Sequence, residues 1–219
     1  MMPPKRTFPM DLFEAEQRTT PLQPGAILLG GFATSQAVAL LTEVDRIASI
    51  APFRNMVTPG GWPMSVAMTN CGSVGWVTDR TGYRYDPLDP QTDAPWPAMP
   101  DIFRCLAEEA AYVAGFSGFE PDSCLMNRYE PGSRLSLHQD RNERDFEAPI
   151  VSVSLGLPAT FLWGSSTRSE KPTRVRLLHG DVVVWGGPAR LAFHGVDTLR
   201  GGDGPAGEFR YNLTFRTAR

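Results

Sequence analysis

Apolar residues along this chain recur with two periods, and the change falls near residue 123. Upstream, Val38, Leu41, Val44 and Ala48 stand at helical spacing behind Thr34, a residue type that can cap a helix. A second helix is expected from Pro100 and Asp101 to about Ala114, with Ile102, Leu106, Ala110 and Val113 as its buried stripe. Residues 26–32 are a short apolar run of strand type. Residues 59–97 are rich in Gly, Pro and aromatics and read as strands and long loops. Residues 1–22, charged and Pro-containing, read as a flexible extension outside the folded unit.

Beyond Cys124 the pattern becomes one of short strands separated by Gly, Pro or polar turns. The expected strands are 125–129, 135–138, 150–155, 160–163, 174–178, 181–185, 191–196 and 209–215. Val151, Val153 and Leu155 alternate with Ser152 and Ser154, the period of two of a strand with one buried face. Eight such strands predict two packed sheets, a jelly roll or similar sandwich, with the two helices covering one sheet. The fold class is α+β, mainly β. One domain is expected over 23–219, with no internal repeat and no heptad array.

Composition narrows the function classes. At 219 residues, 42% hydrophobic and 21% charged, the chain is long enough for one sizeable core and is not of disordered type. No apolar run reaches the roughly 20 residues a membrane span needs, and the N-terminus lacks the apolar centre of a signal peptide. Three cysteines (Cys71, Cys105, Cys124), widely spaced and without CxxC, argue against a disulfide framework or a zinc ribbon. Reduced, mostly buried thiols in a cytoplasmic protein are expected. A net charge of −3 argues against a generic nucleic-acid coat protein. It leaves room for an enzyme with a local basic patch. Arg168, Lys171, Arg174 and Arg176 stand against the single anion Glu170; charge alone describes a solvated hairpin tip equally well.

The candidate chemistry begins at His138-Gln139-Asp140. Residues i and i+2 of a strand share a face, so His138 and Asp140 can converge on one point. His194, at the end of the apolar stretch 191–193, is the natural third ligand. Two imidazoles and a carboxylate form the facial triad of non-haem Fe(II) oxygenases. The same ligands also suit a zinc hydrolase, and HxD…H alone does not separate the two metals. His179, before Gly180-Asp181, reads as a turn residue. On the last strand Arg210, Asn212, Thr214 and Arg216 share one face, while Leu213 and Phe215 share the other. The face of Arg210 and Arg216 is either solvated or turned inward; two inward guanidinium groups would be costly unless they receive an anion, and a dicarboxylate would match them. Asn127 and Tyr129 share a strand face and can add an amide and a phenol to that pocket.

Residues 125–129, His138-Gln139-Asp140, 148–156, 180–187 and 210–216, in that order, resemble the AlkB family of alkylation-damage repair dioxygenases. Segments 68–72 and 95–100 resemble its bacterial branch. The resemblance spans roughly residues 20–219. It implies a double-stranded β-helix over 123–219 and a nucleotide-recognition lid over about 50–97. It implies Fe(II) on His138, Asp140 and His194, with 2-oxoglutarate and O2 as co-substrates. Arg210 would meet the distal carboxylate of 2-oxoglutarate and Arg216 the end nearer the metal, with Asn127, Tyr129 and Asn212 completing the pocket. Trp76 and His138 would sandwich a flipped base and Tyr83 would contact the flanking backbone, with Met68, Asn142 and Arg168 also on the substrate side. Oxidative demethylation of N-alkylated bases in single-stranded DNA or RNA, by a monomer, is the implied activity. At position 142 the bacterial branch that this chain resembles carries aspartate; Asn142 puts the preference for cationic lesions in question. A same-fold hydroxylase of a small molecule or protein side chain is the first competitor, and a non-catalytic binding module the second.

Overall fold

A computed structural model describes residues 18–219. In chain order it contains strands β1 (Arg18–Gln23) and β2 (Ala26–Gly30), helix α1 (Ala37–Ile50), then β3 (Arg54–Val57), β4 (Pro63–Gly72), β5 (Gly75–Asp79) and β6 (Gly82–Asp86). Helix α2 (Asp101–Val113) leads into β7 (Ser123–Tyr129), β8 (Leu135–His138), β9 (Ile150–Gly156), β10 (Ala159–Trp163) and β11 (Thr173–Leu177). The chain closes with β12 (Val182–Trp185), β13 (His194–Val196), β14 (Pro205–Glu208) and β15 (Arg210–Arg216). An eight-stranded sheet runs β1-β2-β12-β9-β15-β7-β4-β3 and a four-stranded sheet β11-β10-β13-β8, while β5 and β6 form a separate hairpin.

The large sheet is buried on both faces. Val151, Val153, Leu155, Leu213 and Phe215 point to one side and pack with Leu40, Val44, Ile47, Phe103 and Leu106 of the helices. Phe103 meets Phe215 edge-on, ring centroids 5.9 Å apart. The opposite face meets the small sheet through Leu125, Tyr129, Ile150, Phe161, Trp163 and Trp185. The alternation of β9 therefore marks two interiors rather than one buried and one wet face. Its valines face the helices, and Ser152 and Ser154 face the space between the sheets, where both are buried. This is the jelly-roll layering expected, with both helices on one sheet.

Several local expectations need correction. Residues 18–22 belong to β1, paired antiparallel with β2, rather than to an extension; residues 1–17 lie outside the described residues. Thr34 does not cap α1. It sits in a 3-10 turn, Thr34–Gln36, and makes no side-chain capping bond. That turn is tied to the sheet by Ala33 N–H donating to Gly180 O at 2.8 Å. Thr34 packs so closely on Gly180 (φ +86°) that a Cβ there would lie 2.1 Å from Thr34 Oγ1. This anchor sets the phase of the helix, whose buried stripe is Ala37, Leu40, Val44 and Ile47, leaving Val38 81% exposed. In α2 Leu106 and Ala110 are buried as expected, but Phe103, Ala107 and Ala111 join them and Val113 is exposed. The strand expected over 191–196 is shorter: Leu191 stands in a turn and β13 begins at His194. Cys71 and Cys124 are buried cross-strand neighbours, whereas Cys105 is exposed on α2. Among the described residues no helix is long and apolar enough to cross a membrane.

Candidate metal centre

His138 ends β8 and His194 begins β13, and the two stand opposite each other in antiparallel register. Gly195 permits the approach, since a Cβ there would lie 2.6 Å from Leu135 O. The imidazole centroids are 4.4 Å apart. Asp140 follows two residues after His138 and turns its carboxylate to both rings, with Oδ1 3.7 Å from His138 Nε2 and Oδ2 3.8 Å from His194 Nε2. One donor atom from each residue lies within 4.8 Å of the other two.

The histidine tautomers are set by the backbone. His138 Nδ1 lies 2.8 Å from Ser136 O and His194 Nδ1 3.0 Å from Ala192 O. A carbonyl only accepts, so each Nδ1 carries the proton and each Nε2 presents its lone pair to the shared point. Burial, reinforced by the neighbouring His138, pulls the His194 pKa down to about 4, which keeps it neutral. Burial alone would raise the Asp140 pKa. The charge of Arg216, which also hydrogen-bonds to it, overrides burial and holds the carboxyl well below the usual range. Two neutral imidazole nitrogens and one carboxylate suit a divalent cation with open coordination positions.

Beside this cluster opens a cavity of about 730 Å³ lined by His138, Asp140, His194, Asn127, Tyr129 and Arg210 among others. β15 and β7 pair so that Arg210 is opposite Tyr129 and Asn212 opposite Asn127, which brings the two polar faces into one wall. Arg210 is 1% exposed, and its guanidinium lies over the Tyr129 ring, 4.8 Å from the centroid. Nη2 donates to Ser154 Oγ at 3.1 Å. Nε and Nη1 have no partner, and neither does the Tyr129 hydroxyl. Burial lowers the Arg210 pKa and raises that of Tyr129. A buried cation with two idle donors beside this cluster has the chemistry to receive an anion. The residues thus fit both groups, a divalent metal and a carboxylate co-substrate.

The family described as the 2OG-Fe(II) oxygenase superfamily matches residues 25–216. The chain is 56% identical to the alpha-ketoglutarate-dependent dioxygenase AlkB of Salmonella typhimurium, over 95% of this chain and 98% of the relative. The AlkB of Escherichia coli matches at the same identity and coverage.

The chain belongs to the AlkB family of 2OG-Fe(II) oxygenases.

A solved structure, that of OsALKBH1, is 28% identical to this AlkB-family chain, with a TM-score of 0.80, and the match covers 91% of this chain and 100% of that one. The protein is an Fe(II)- and 2-oxoglutarate-dependent dioxygenase.

Arg216 is ion-paired: Nε and Nη2 donate to Asp140 Oδ2 at 2.9 and 2.7 Å, and only Nη1 is without a partner. Asn127 donates to Asn212 Oδ1 at 3.2 Å, and Asn212 donates to Ser152 Oγ at 2.8 Å, so the amides brace one another. Met68, Trp76, Tyr83, Asn142 and Arg168 all line the cavity. Trp76 stacks on Tyr83, with centroids 5.7 Å apart, and donates its Nε1–H to Asn142 Oδ1 at 3.1 Å. Of the basic patch only Arg168 lines the cavity, lying over Phe193; Arg174 is paired with Asp197 instead. His179 is structural, its Nδ1 accepting Gly156 N–H at 2.9 Å.

Sequence reading missed the support beneath the site. Glu143, 5% exposed, accepts from the Tyr85 hydroxyl at 2.5 Å and from Arg190 Nη2 at 3.1 Å, and it also faces Arg216 Nε at 3.4 Å. Arg190 further donates to the carbonyls of Asp140 and Ala148, both at 3.1 Å. Tyr85 could have been found, because it shares strand parity with Tyr83. Glu143 and Arg190 sit in irregular segments where no period marks a buried charge.

Proposed function

We propose that this dioxygenase demethylates N-alkylated bases, of the 1-methyladenine and 3-methylcytosine type, in single-stranded DNA or RNA. The reading rests above all on the cavity beside the three donor atoms. It joins an unpaired buried guanidinium, fit for a dicarboxylate, to an open side walled by aromatic rings and cations. Relatives at greater distance carry names such as tRNA demethylase (Schizosaccharomyces pombe) and nucleic acid dioxygenase (Mus musculus). A cytoplasmic monomer with no membrane association accords with this reading. Residues 50–97 act as the recognition lid and 123–219 as the catalytic core.

In this assignment His138, Asp140 and His194 hold Fe(II). Arg210 takes the distal carboxylate of 2-oxoglutarate through its unsatisfied guanidinium N–H groups, and the Tyr129 hydroxyl adds a further donor. Arg216 fixes Asp140 and offers Nη1 toward the end of the co-substrate nearer the metal. Asn127 and Asn212 keep the wall between them polar. Trp76, steadied by Asn142, and His138 flank the base, with Met68 beneath; Tyr83 and Arg168 serve the strand at the mouth. Phe161, Trp163 and Trp185 pack around His194 and exclude water from its inner side. When bound, iron with O2 and 2-oxoglutarate supplies the oxidation that hydroxylates the N-methyl group. The hydroxymethyl adduct then releases formaldehyde and the unmodified base, with succinate and CO2 as co-products.

The test is incubation of anaerobically prepared protein with Fe(II), 2-oxoglutarate, O2 and a single-stranded oligonucleotide carrying one lesion. A mass loss of one methylene per lesion, with formaldehyde release, abolished in His138→Ala, is expected. Succinate formation without any base reversion would overturn the nucleic-acid substrate and point to a small-molecule or protein substrate.

A further inference from the structure

The turn between β3 and β4 holds Trp62 at the cavity mouth, 76% exposed. The turn is closed by its own bonds: Thr58 N–H donates to Trp62 O at 2.9 Å, Gly61 N–H to Thr58 O at 2.8 Å, and Trp62 N–H to Thr58 Oγ1 at 3.2 Å. Gly61 adopts φ +80°, a conformation that favours glycine. The indole covers Gly60, where a Cβ would lie 3.4 Å from Trp62 Cδ1, and leaves most of its surface to solvent. An indole on a rigid turn, exposed at the edge of a cavity, makes little contribution to the core and presents a stacking face.

The surroundings have the charge a nucleic-acid strand requires. Arg134 and Arg168 line the same cavity, and the Arg80 guanidinium lies against Gly61, 3.4 Å from where its Cβ would stand. None of these three arginines forms an ion pair among the described residues, although Arg84, Arg104 and Arg174 do. Unpaired cations therefore gather at this mouth in a chain whose net charge is −3. Trp76 and Tyr83 line the same cavity from the β5–β6 hairpin, already stacked on each other. Trp62 is a separate platform on a separate turn.

We propose that Trp62 stacks on an unmodified base flanking the lesion in the same strand, with the intervening phosphates held by the arginines of the mouth. The preferred substrate is then an oligonucleotide of at least two nucleotides rather than a free nucleotide. This rests on the nucleic-acid reading above. The test compares wild type, Trp62→Ala and Trp62→Phe on two substrates: 1-methyladenosine monophosphate, and a single-stranded pentanucleotide with a central 1-methyladenine. Trp62→Ala is expected to raise KM for the pentanucleotide roughly five- to twentyfold, the range of one lost base stack at an exposed site, with kcat little changed. It should leave kcat/KM for the mononucleotide as it was, and Trp62→Phe should recover most of the loss. The salt dependence of pentanucleotide binding should keep its slope, because no phosphate contact is removed. An unchanged KM for the pentanucleotide, or an equal loss on both substrates, would overturn the platform while leaving demethylation in place. A wild type that forms succinate but reverts neither substrate would remove the nucleic-acid reading and the platform with it.

Discussion

Arg216 donates two hydrogen bonds to a single oxygen, Oδ2 of Asp140, at 2.9 and 2.7 Å. Oδ1 is left to face the nitrogen of His138. The pair thus fixes the direction of the carboxylate between the two histidines. Both residues are buried, with side chains 6% and 9% exposed, so the interaction is little screened by solvent. Glu143 faces Arg216 from behind and is itself gripped by Arg190 and Tyr85.

Breaking this pair should cost stability and metal affinity together. Arg216→Met leaves Asp140 buried without its cation, a loss of about 3–5 kcal/mol by analogy with other buried pairs. Loss of the group that orients a ligand weakens metal binding roughly 10- to 100-fold. Chemical denaturation of the metal-free protein and titration with Mn(II) measure the two effects separately. An unaltered Mn(II) affinity would show that Arg216 does not orient Asp140.

Arg210 should behave in the opposite way. Its guanidinium is buried with Nε and Nη1 unpartnered, so removing it removes a desolvated charge rather than a pair. Arg210→Met is expected to leave the metal-free protein as stable as the wild type or more so, while KM for 2-oxoglutarate rises tenfold or more, roughly the worth of a charge-assisted hydrogen bond. In thermal melts with Mn(II), 2-oxoglutarate should stabilise the wild type and not the variant. Equal stabilisation of both would place the co-substrate elsewhere.

Asn142 accepts from the Trp76 indole and lines the cavity. Asn142→Asp keeps that acceptor and adds a negative charge at the base site. The relative kcat/KM for cationic over neutral lesions should rise several-fold, in keeping with about 1 kcal/mol for a charge pair near solvent. Competition assays with 1-methyladenine and a neutral lesion in the same oligonucleotide context measure the ratio; no change would mean that residue 142 does not read charge.

His179 links stability to pH. Its Nδ1 must be unprotonated to accept from Gly156, and burial lowers its pKa below the ordinary 6.5. A depressed histidine pKa means that the unfolded chain takes up the proton first. The contribution is therefore complete above pH 6.5 and is lost as pH falls through the lower folded value. His179→Gln, whose amide oxygen accepts at any pH, should flatten that part of the stability profile in urea melts. A profile identical to that of the wild type would assign the acid sensitivity to other groups.

The strand periods and turn residues beyond residue 123 were enough to locate eight of the nine strands there, β14 (Pro205–Glu208) being missed, because a period of two is written locally in a strand. The face-sharing of Arg210, Asn212, Thr214 and Arg216 was legible for the same reason, and so was the convergence of His138, Asp140 and His194. What the periods could not convey was phase and partnership. The stripe of α1 kept Val44 but took Ala37, Leu40 and Ile47 in place of Val38, Leu41 and Ala48, in a helix whose entry is anchored by Ala33 and Thr34 on Gly180, about 150 residues away in the chain. Arg210 and Arg216 look alike in sequence, yet one is idle and the other is paired, since Asp140 reaches only the second. Glu143, Arg190 and Trp62 gave no local signal, because their roles come from the elements that pack around them and from the solvent those elements exclude or admit. The sequence by itself determined the layers of the fold and the chemistry of the ligands. Tertiary structure alone decided which buried charges are satisfied and which wait for a partner, because that balance depends on distances across strands and not on spacing along them.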